Sequence, residues 1–157
     1  MRADMDTEVK LVRTTSENAD FRQLVAELDA DLALRDGEEH AFYHQFNGIA
    51  HLNRAVVAYL GNRPVGCGAL KEYGEDTLEV KRMYTRPDSR GRGVAGQVLR
   101  DLEQWAAGDG FARCVLETGR RQPEAIALYE RHGFMRIPNF GPYAGVANSL
   151  CFEKHLE

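Results

Sequence analysis

Residues 78–96 read Leu-Glu-Val-Lys-Arg-Met-Tyr-Thr-Arg-Pro-Asp-Ser-Arg-Gly-Arg-Gly-Val-Ala-Gly. No other stretch of the chain constrains the fold as tightly. A strand-like run ends in a loop of arginines and glycines. The loop leads directly into a helix with Val94, Val98, Leu99, Leu102, Trp105 and Ala106 at helical spacing. Glycines let the backbone approach a ligand closely, and the helix N-terminus adds partial positive charge. With arginines as counter-charge, this is a socket for a phosphate ester.

The elements around it predict a mixed α/β domain with one central sheet, spanning residues 1–157 as one unit. Glu8–Thr14 reads as a strand. Ser16 is placed to cap a helix in which Phe21, Leu24, Val25, Leu28 and Leu32 share a face, ended by Asp36-Gly37. Residues 38–54 look irregular. Ala55–Leu60 and Val65–Lys71 are strands joined across Gly61-Asn62-Arg63-Pro64, and Gly74-Glu75-Asp76 turns into the strand Thr77–Thr85. Gly108 and Gly110 stop the helix after the loop. Ala112–Glu117 is a buried strand. Pro123 opens a helix through Arg131 with Gly133 as its stop, and Phe134–Ile137 and Ser149–Glu153 are strands.

Charge narrows the partners. The net charge is −4, yet residues 1–40 hold 11 acids and 5 bases, while residues 81–136 hold 11 bases and 7 acids. An acidic front and a basic middle argue against a nucleic-acid binder. They suit a protein that grips a polyanion in its middle and accepts a cation at its front. No apolar run approaches the roughly 20 residues of a membrane span. The polar, acidic start is unlike a signal peptide. Cys67, Cys114 and Cys151 are scattered in apolar runs without metal-ligand spacing, which points to reduced core thiols and a cytoplasmic location. His40, His44 and His51 show no metal spacing, and no metal is expected.

One rival for the phosphate ester is a dinucleotide. Gly91, Gly93 and Gly96 match G-x-G-x-x-G, and Glu117 lies about 20 residues on. Three features oppose it. Arg86–Arg90 separate the strand from the first glycine. The strand Glu79-Val-Lys-Arg-Met-Tyr is too charged for the centre of a parallel sheet. About 65 residues remain after Gly91, too few for a doubly wound sheet. An NAD(P)-binding oxidoreductase is therefore the weaker reading.

The stretch instead resembles the GNAT superfamily of acyl-CoA-dependent N-acyltransferases. Met83-Tyr84-Thr85-Arg86-Pro87 is a strand end followed by x-Pro. Arg90-Gly91-Arg92-Gly93-Val94-Ala95 fits the (Gln/Arg)-x-x-Gly-x-(Gly/Ala) pyrophosphate loop. Ala125-Ile126-Ala127-Leu128-Tyr129-Glu130-Arg131-His132-Gly133-Phe134 looks like the A-x-x-L-Y-x-x-x-G-F helix. The resemblance covers residues 78–137, about half the chain. It departs at Gln122, where the superfamily often has Asn.

The resemblance implies an α/β fold of α+β type, with a central mixed, mostly antiparallel sheet flanked by helices. It implies a splay between the two strands around an acyl-CoA site. Acetyl-CoA is the expected co-substrate and a primary amine of a small molecule or peptide the acceptor, attacked directly with no protein nucleophile. Arg90, Gly91, Arg92, Gly93, Val94, Ala95, Gly96 and Gln122 are expected at the CoA, with Met83, Tyr84 and Thr85 pairing with its pantetheine arm. Tyr129 matches the tyrosine that faces the CoA sulfur and is the expected general acid. Glu79 matches the register of a catalytic glutamate and is the candidate base. The period of two places it on a face with Lys81, Met83 and Thr85, and a salt bridge to Lys81 or Arg82 is the plainer alternative. Acceptor contacts are expected from Asp29–Asn47 and Pro138–Val146, with Asp31, Glu39, Phe42, Tyr43 and Tyr143 as candidates. A non-catalytic CoA-binding sensor or interaction module is the alternative function. Homodimers are common in the family, but nothing in the sequence fixes the oligomeric state.

Overall fold

Turn chemistry builds the first half of the sheet. β1 (Val9–Thr14) leads through a short turn into α1 (Ala19–Asp36). Asn18, not Ser16, caps this helix: its Oδ1 accepts the Phe21 N–H at 2.9 Å. Ser16 is buried instead, its N–H given to the Leu52 carbonyl at 2.9 Å, so the chain turns further before helix begins. β2 (Arg54–Leu60) and β3 (Arg63–Gly74) form a hairpin about Gly61, whose φ of +60° suits a residue without Cβ. β4 (Thr77–Thr85) returns beside β3. The structure, a computed structural model, describes residues 8–36 and 52–157.

After β4 come a 3-10 turn (Pro87–Ser89), α2 (Val94–Gly108), β5 (Arg113–Gly119), α3 (Pro123–Arg131), β6 (Met135–Ile137), a second 3-10 turn (Gly141–Tyr143) and β7 (Ser149–His155). The strands make one sheet in the order β1-β2-β3-β4-β5-β7-β6. All neighbouring pairs are antiparallel except β4 and β5. This is the mixed, mostly antiparallel sheet with flanking helices that the sequence predicts.

Alternating side chains give the sheet two apolar faces. Ala55, Val57, Cys67 and Ala69 pack under Phe21, Leu24 and Val25 of α1. Val56, Leu70, Leu78, Val80, Cys114 and Leu116 face the other way, against α2 and α3. At ~25 cal/mol per Å² of apolar surface, these two layers supply the main driving force for folding.

Two departures from regular sheet shape the site. The parallel pairing of β4 with β5 covers only Thr77↔Arg113, Leu78↔Cys114 and Glu79↔Val115. Beyond Glu79 the strands diverge, as the resemblance implies. The second departure is a bulge: Cys67 pairs with Tyr84 and Ala69 with Lys81, so Arg82 and Met83 together oppose Gly68. Arg82 takes a left-handed backbone conformation, φ +60°. This corrects the period-two expectation. Glu79, Lys81 and Tyr84 share the α1 face, whereas Met83 and Thr85 turn to the α2 face. Met83 Sδ lies where a Cβ on Gly68 would stand, 2.5 Å from it, and Thr85 is likewise beside Gly66.

Candidate functional site

The loop after β4 ends at a helix start with no side-chain cap among the described residues. Gly91 and Gly93 have φ of +82° and +77°, a region that costs other residues about 1–2 kcal/mol. Gly93 is the N-cap of α2 and makes no side-chain cap, so the first-turn N–H groups of Val94, Ala95 and Gly96 face outward. Arg90 lies beside them, its Nε bonded to the Thr85 carbonyl at 3.0 Å. Gly96 has a packing role too: a Cβ there would meet His132 Nε2 at 2.9 Å, so the glycine lets α2 close on the end of α3.

These groups border a cleft of about 410 Å³. Met83, Tyr84 and Thr85 form one wall, and Arg90, Gly91, Gly93, Val94, Ala95 and Gly96 the end. Gln122, Ala125, Leu128 and Tyr129 of the α3 region form the other wall. Every residue expected at the CoA lines this cleft except Arg92, whose side chain is exposed outside it. Sequence reasoning missed Arg35, Glu124 and Arg131, which also line it. Arg35 joins α1 to α3, its NH1 2.8 Å from Glu124 Oε1 and its Nε 3.2 Å from Asp31. Asp31, expected near the acceptor, thus borders the larger cleft.

A second cavity of about 70 Å³ adjoins the first, near the divergence of β4 and β5. Leu28, Met83, Gln122 and Tyr129 line both. The small cavity adds Glu79, Lys81 and Arg82 of β4, Glu117 of β5, and Tyr143. The charged strand of the sequence is buried in the sheet, and its charges surround a cavity. Lys81 and Glu117 were not expected there. The signal available was three charges in a strand otherwise destined for the core.

Tyr129 is 6% exposed, and its backbone carbonyl accepts from the N–H groups of His132 and Phe134 at 3.1 and 3.0 Å. Phe134 and Phe152 flank its ring at centroid distances of 5.9 and 6.3 Å. Burial pushes its phenol above the usual range, and the negative charge of Glu117 acts in the same sense. Burial likewise raises the carboxyl of Glu79, opposed by Lys81 and Lys71. Lys81 Nζ sits 3.6 Å from Glu79 Oε2, and burial lowers its ammonium against the pull of Glu79. The plainer alternative for Glu79, an ion pair with Lys81, is therefore present within the cavity itself. Tyr143 is held by its loop: the Asn139 amide bonds the carbonyls of Tyr143, Val146 and Ser149 at 3.0–3.1 Å.

Two salt links fix α1 over β4. Arg82 is gripped by Asp29, with the Val25 carbonyl at 3.5 Å. Arg86 forks onto Glu27 at 2.9 and 2.7 Å. Glu39, Phe42 and Tyr43, expected at the acceptor with Glu38, His40, Gln45 and Asn47, lie outside the described residues.

Comparison with known proteins identifies the type. A family model described as Acetyltransferase (GNAT) family matches residues 19–134. A protein of Azospirillum brasilense named IAA acetyltransferase is 39% identical over 104 residues, covering 66% of this chain and 68% of that protein. A solved structure from Klebsiella pneumoniae, assigned as an acyl-CoA N-acyltransferase, superposes with a TM-score of 0.80 at 29% identity, covering 96% of this chain and 99% of that one. The PaiA N-acetyltransferase of Thermoplasma acidophilum, solved in complex with coenzyme A, shares the fold with a TM-score of 0.70 at 16% identity, over 94% of this chain and 99% of that one.

Proposed function

The chain belongs to the acetyltransferase (GNAT) family, and from that membership we propose that it moves an acetyl group from acetyl-CoA to the primary amine of a small molecule or peptide by direct attack. The observation that carries this reading is that the two cavities adjoin and share Leu28, Met83, Gln122 and Tyr129. The uncapped, glycine-built start of α2 opens onto one, Glu79 lies in the other, and Tyr129 borders both.

The residues fit the donor. The first-turn N–H groups of α2 and Arg90 bind its pyrophosphate. The pairing of β4 with β5 ends at Glu79↔Val115, and the edge of β4 beyond it, along the donor cleft, is where the amides of the pantetheine arm bond. When bound, acetyl-CoA supplies an acyl group activated as a thioester. A backbone N–H near Met83 or Tyr84 polarises the carbonyl. Glu79, on the acceptor side, takes a proton from the ammonium. Tyr129, on the donor side, keeps its proton at working pH and gives it to the departing sulfur. Among the acceptor residues, Tyr143 is the aromatic wall nearest Glu79 and Lys81, its hydroxyl 3.5 Å from Lys81 Nζ. The unbridged thiols of Cys67, Cys114 and Cys151 support a cytoplasmic setting.

Thermal melts with CoA, acetyl-CoA, NAD and NADP test the donor. CoA and acetyl-CoA should stabilise the protein, and Gly93→Glu should abolish the shift. A shift with NAD alone overturns the reading. A thiol-release assay with acetyl-CoA against polyamines, amino acids, aminoglycosides and lysine peptides then identifies the acceptor. Release that requires an added amine supports an enzyme over a passive CoA-binding module.

A further inference from the structure

The acceptor cavity already contains a primary amine. Of the four lysines in the chain, Lys10, Lys71, Lys81 and Lys154, Lys81 alone lines it. Its side chain is 5% exposed, and its Nζ lies 3.6 Å from Glu79 Oε2 and 3.5 Å from the Tyr143 hydroxyl. Tyr129 borders the same cavity, and a space of about 70 Å³ holds only a few waters. The amine, the base and the acid of the reaction thus share one small chamber.

We propose that Lys81 is itself an acetyl acceptor, modified on Nζ by the enzyme's own acetyl-CoA when no amine substrate fills the cavity. This rests on the acetyl-CoA reading above. Three observations support it beyond proximity. Strand alternation puts Lys81 on the α1 face with Glu79, just ahead of the bulge at Arg82, and the divergence of β4 from β5 begins beside it. Burial holds the ammonium below the usual lysine range, so more of it is neutral and nucleophilic. The charges acting on it are those of Glu79, Lys71, Glu117 and Arg82, of which the two carboxylates oppose deprotonation and the two cations favour it.

The step balances. The ammonium gives one proton to Glu79, which passes it to water. The neutral Nζ then attacks the thioester carbonyl carbon; an N–C bond forms and the C–S bond breaks. The second nitrogen proton is lost to water through Glu79, while Tyr129 protonates the sulfur and is reprotonated from solvent. The products are an acetamide at Lys81 and free CoA thiol. The acetyl group then occupies the chamber and removes the positive charge beside Glu79. Modified enzyme should therefore accept amines poorly.

The test uses the full chain with acetyl-CoA and no amine, followed by peptide mass spectrometry over time. Lys81 should acquire acetyl at least ~10-fold faster than the exposed Lys10 and Lys71, and excess of a good amine substrate should protect it. Tyr129→Phe should slow Lys81 acetylation by ~100-fold while leaving the slow chemical background at Lys10 and Lys71 unchanged. Lys81→Arg should lose the modification and its accompanying thiol release. If Lys81 is modified no faster than Lys10, or Tyr129→Phe leaves its rate unchanged, the proposal fails. If added amines are acetylated while Lys81 stays unmodified, this inference fails and the enzyme assignment stands. If acetyl-CoA neither binds nor turns over, both fail. Should Lys81→Arg fold poorly, the wild-type and Tyr129→Phe time courses decide.

Discussion

Tyr129 and Glu79 stand on opposite faces of the sheet and meet only through the gap where β4 leaves β5. Their surroundings differ accordingly. Tyr129 lies between two phenylalanine rings and holds its proton firmly. Tyr129→Phe should lower kcat by ~100-fold and leave CoA binding, read by thermal shift, near normal. Unchanged turnover with a reactive amine would remove its acid role. As the proposed base, Glu79 should carry the pH dependence. Its carboxyl is raised by burial, so it titrates above the ordinary carboxylate range and accepts protons only above that point. The rate should therefore fall as pH drops through this raised value. Glu79→Gln should reduce kcat and flatten that acid limb. A variant that keeps the same limb assigns it to another group and leaves water as the base.

At the scale of elements, the bulge in β4 sets which of its residues face α1 and which face α2. Gly68 makes room for it: a Cβ there would approach Met83 Sδ at 2.5 Å, Leu102 Cδ1 at 2.9 Å and Val98 Cγ1 at 3.0 Å. Gly68→Ala should cost about 1–3 kcal/mol by overpacking and raise KM for acetyl-CoA by displacing Met83 into the cleft. The Glu27–Arg86 fork holds α1 on the end of β4. Glu27 lies below the usual carboxylate range because of Arg86, so its contribution is present above the unfolded value and is lost as pH falls through the folded one. Glu27→Gln should cost about 1 kcal/mol near neutral pH, a Tm drop of about 2–4 °C, and the difference from wild type should vanish in acid. The phosphate loop and α3 were legible because helical spacing and the glycines that permit positive φ are local properties. The bulge was not. It arises from register against β3, and Arg82 is not a residue that announces a left-handed backbone. The alternation rule therefore put Met83 and Thr85 on the wrong face. Asn18 was passed over as a cap for a similar reason, since the path out of β1 depends on Leu52 holding Ser16.

Across the whole molecule, the sheet is a partition with one opening. α2 and α3 cover one face and α1 the other, Leu28, Asp31 and Arg35 of α1 reach the larger cleft, and under the proposed function the chemistry occurs where β4 and β5 part. Strand order beyond β5 was not legible from the sequence. β7 inserts between β5 and β6, a long-range pairing with no local signal, and it brings Cys151 and the loop before it against Tyr143. The expectation of direct attack depends on there being no thiol that takes up the acetyl group and relays it to the amine. All three thiols are buried in the layers of this partition, and none of them lines either cavity. Burial pushes Cys67 and Cys114 up to about 12 and Cys151 to about 11, so none forms a thiolate at working pH. Iodoacetamide should leave the native enzyme unlabelled and fully active, and should label all three cysteines once the chain is unfolded in denaturant. Initial-rate kinetics should show both substrates bound before CoA leaves, with no acetyl group retained on cysteine. Inactivation that follows labelling of a single cysteine in native enzyme, or ping-pong kinetics with an acetylated cysteine, would show that a thiol is reachable from the opening and that the acetyl group is relayed through the protein.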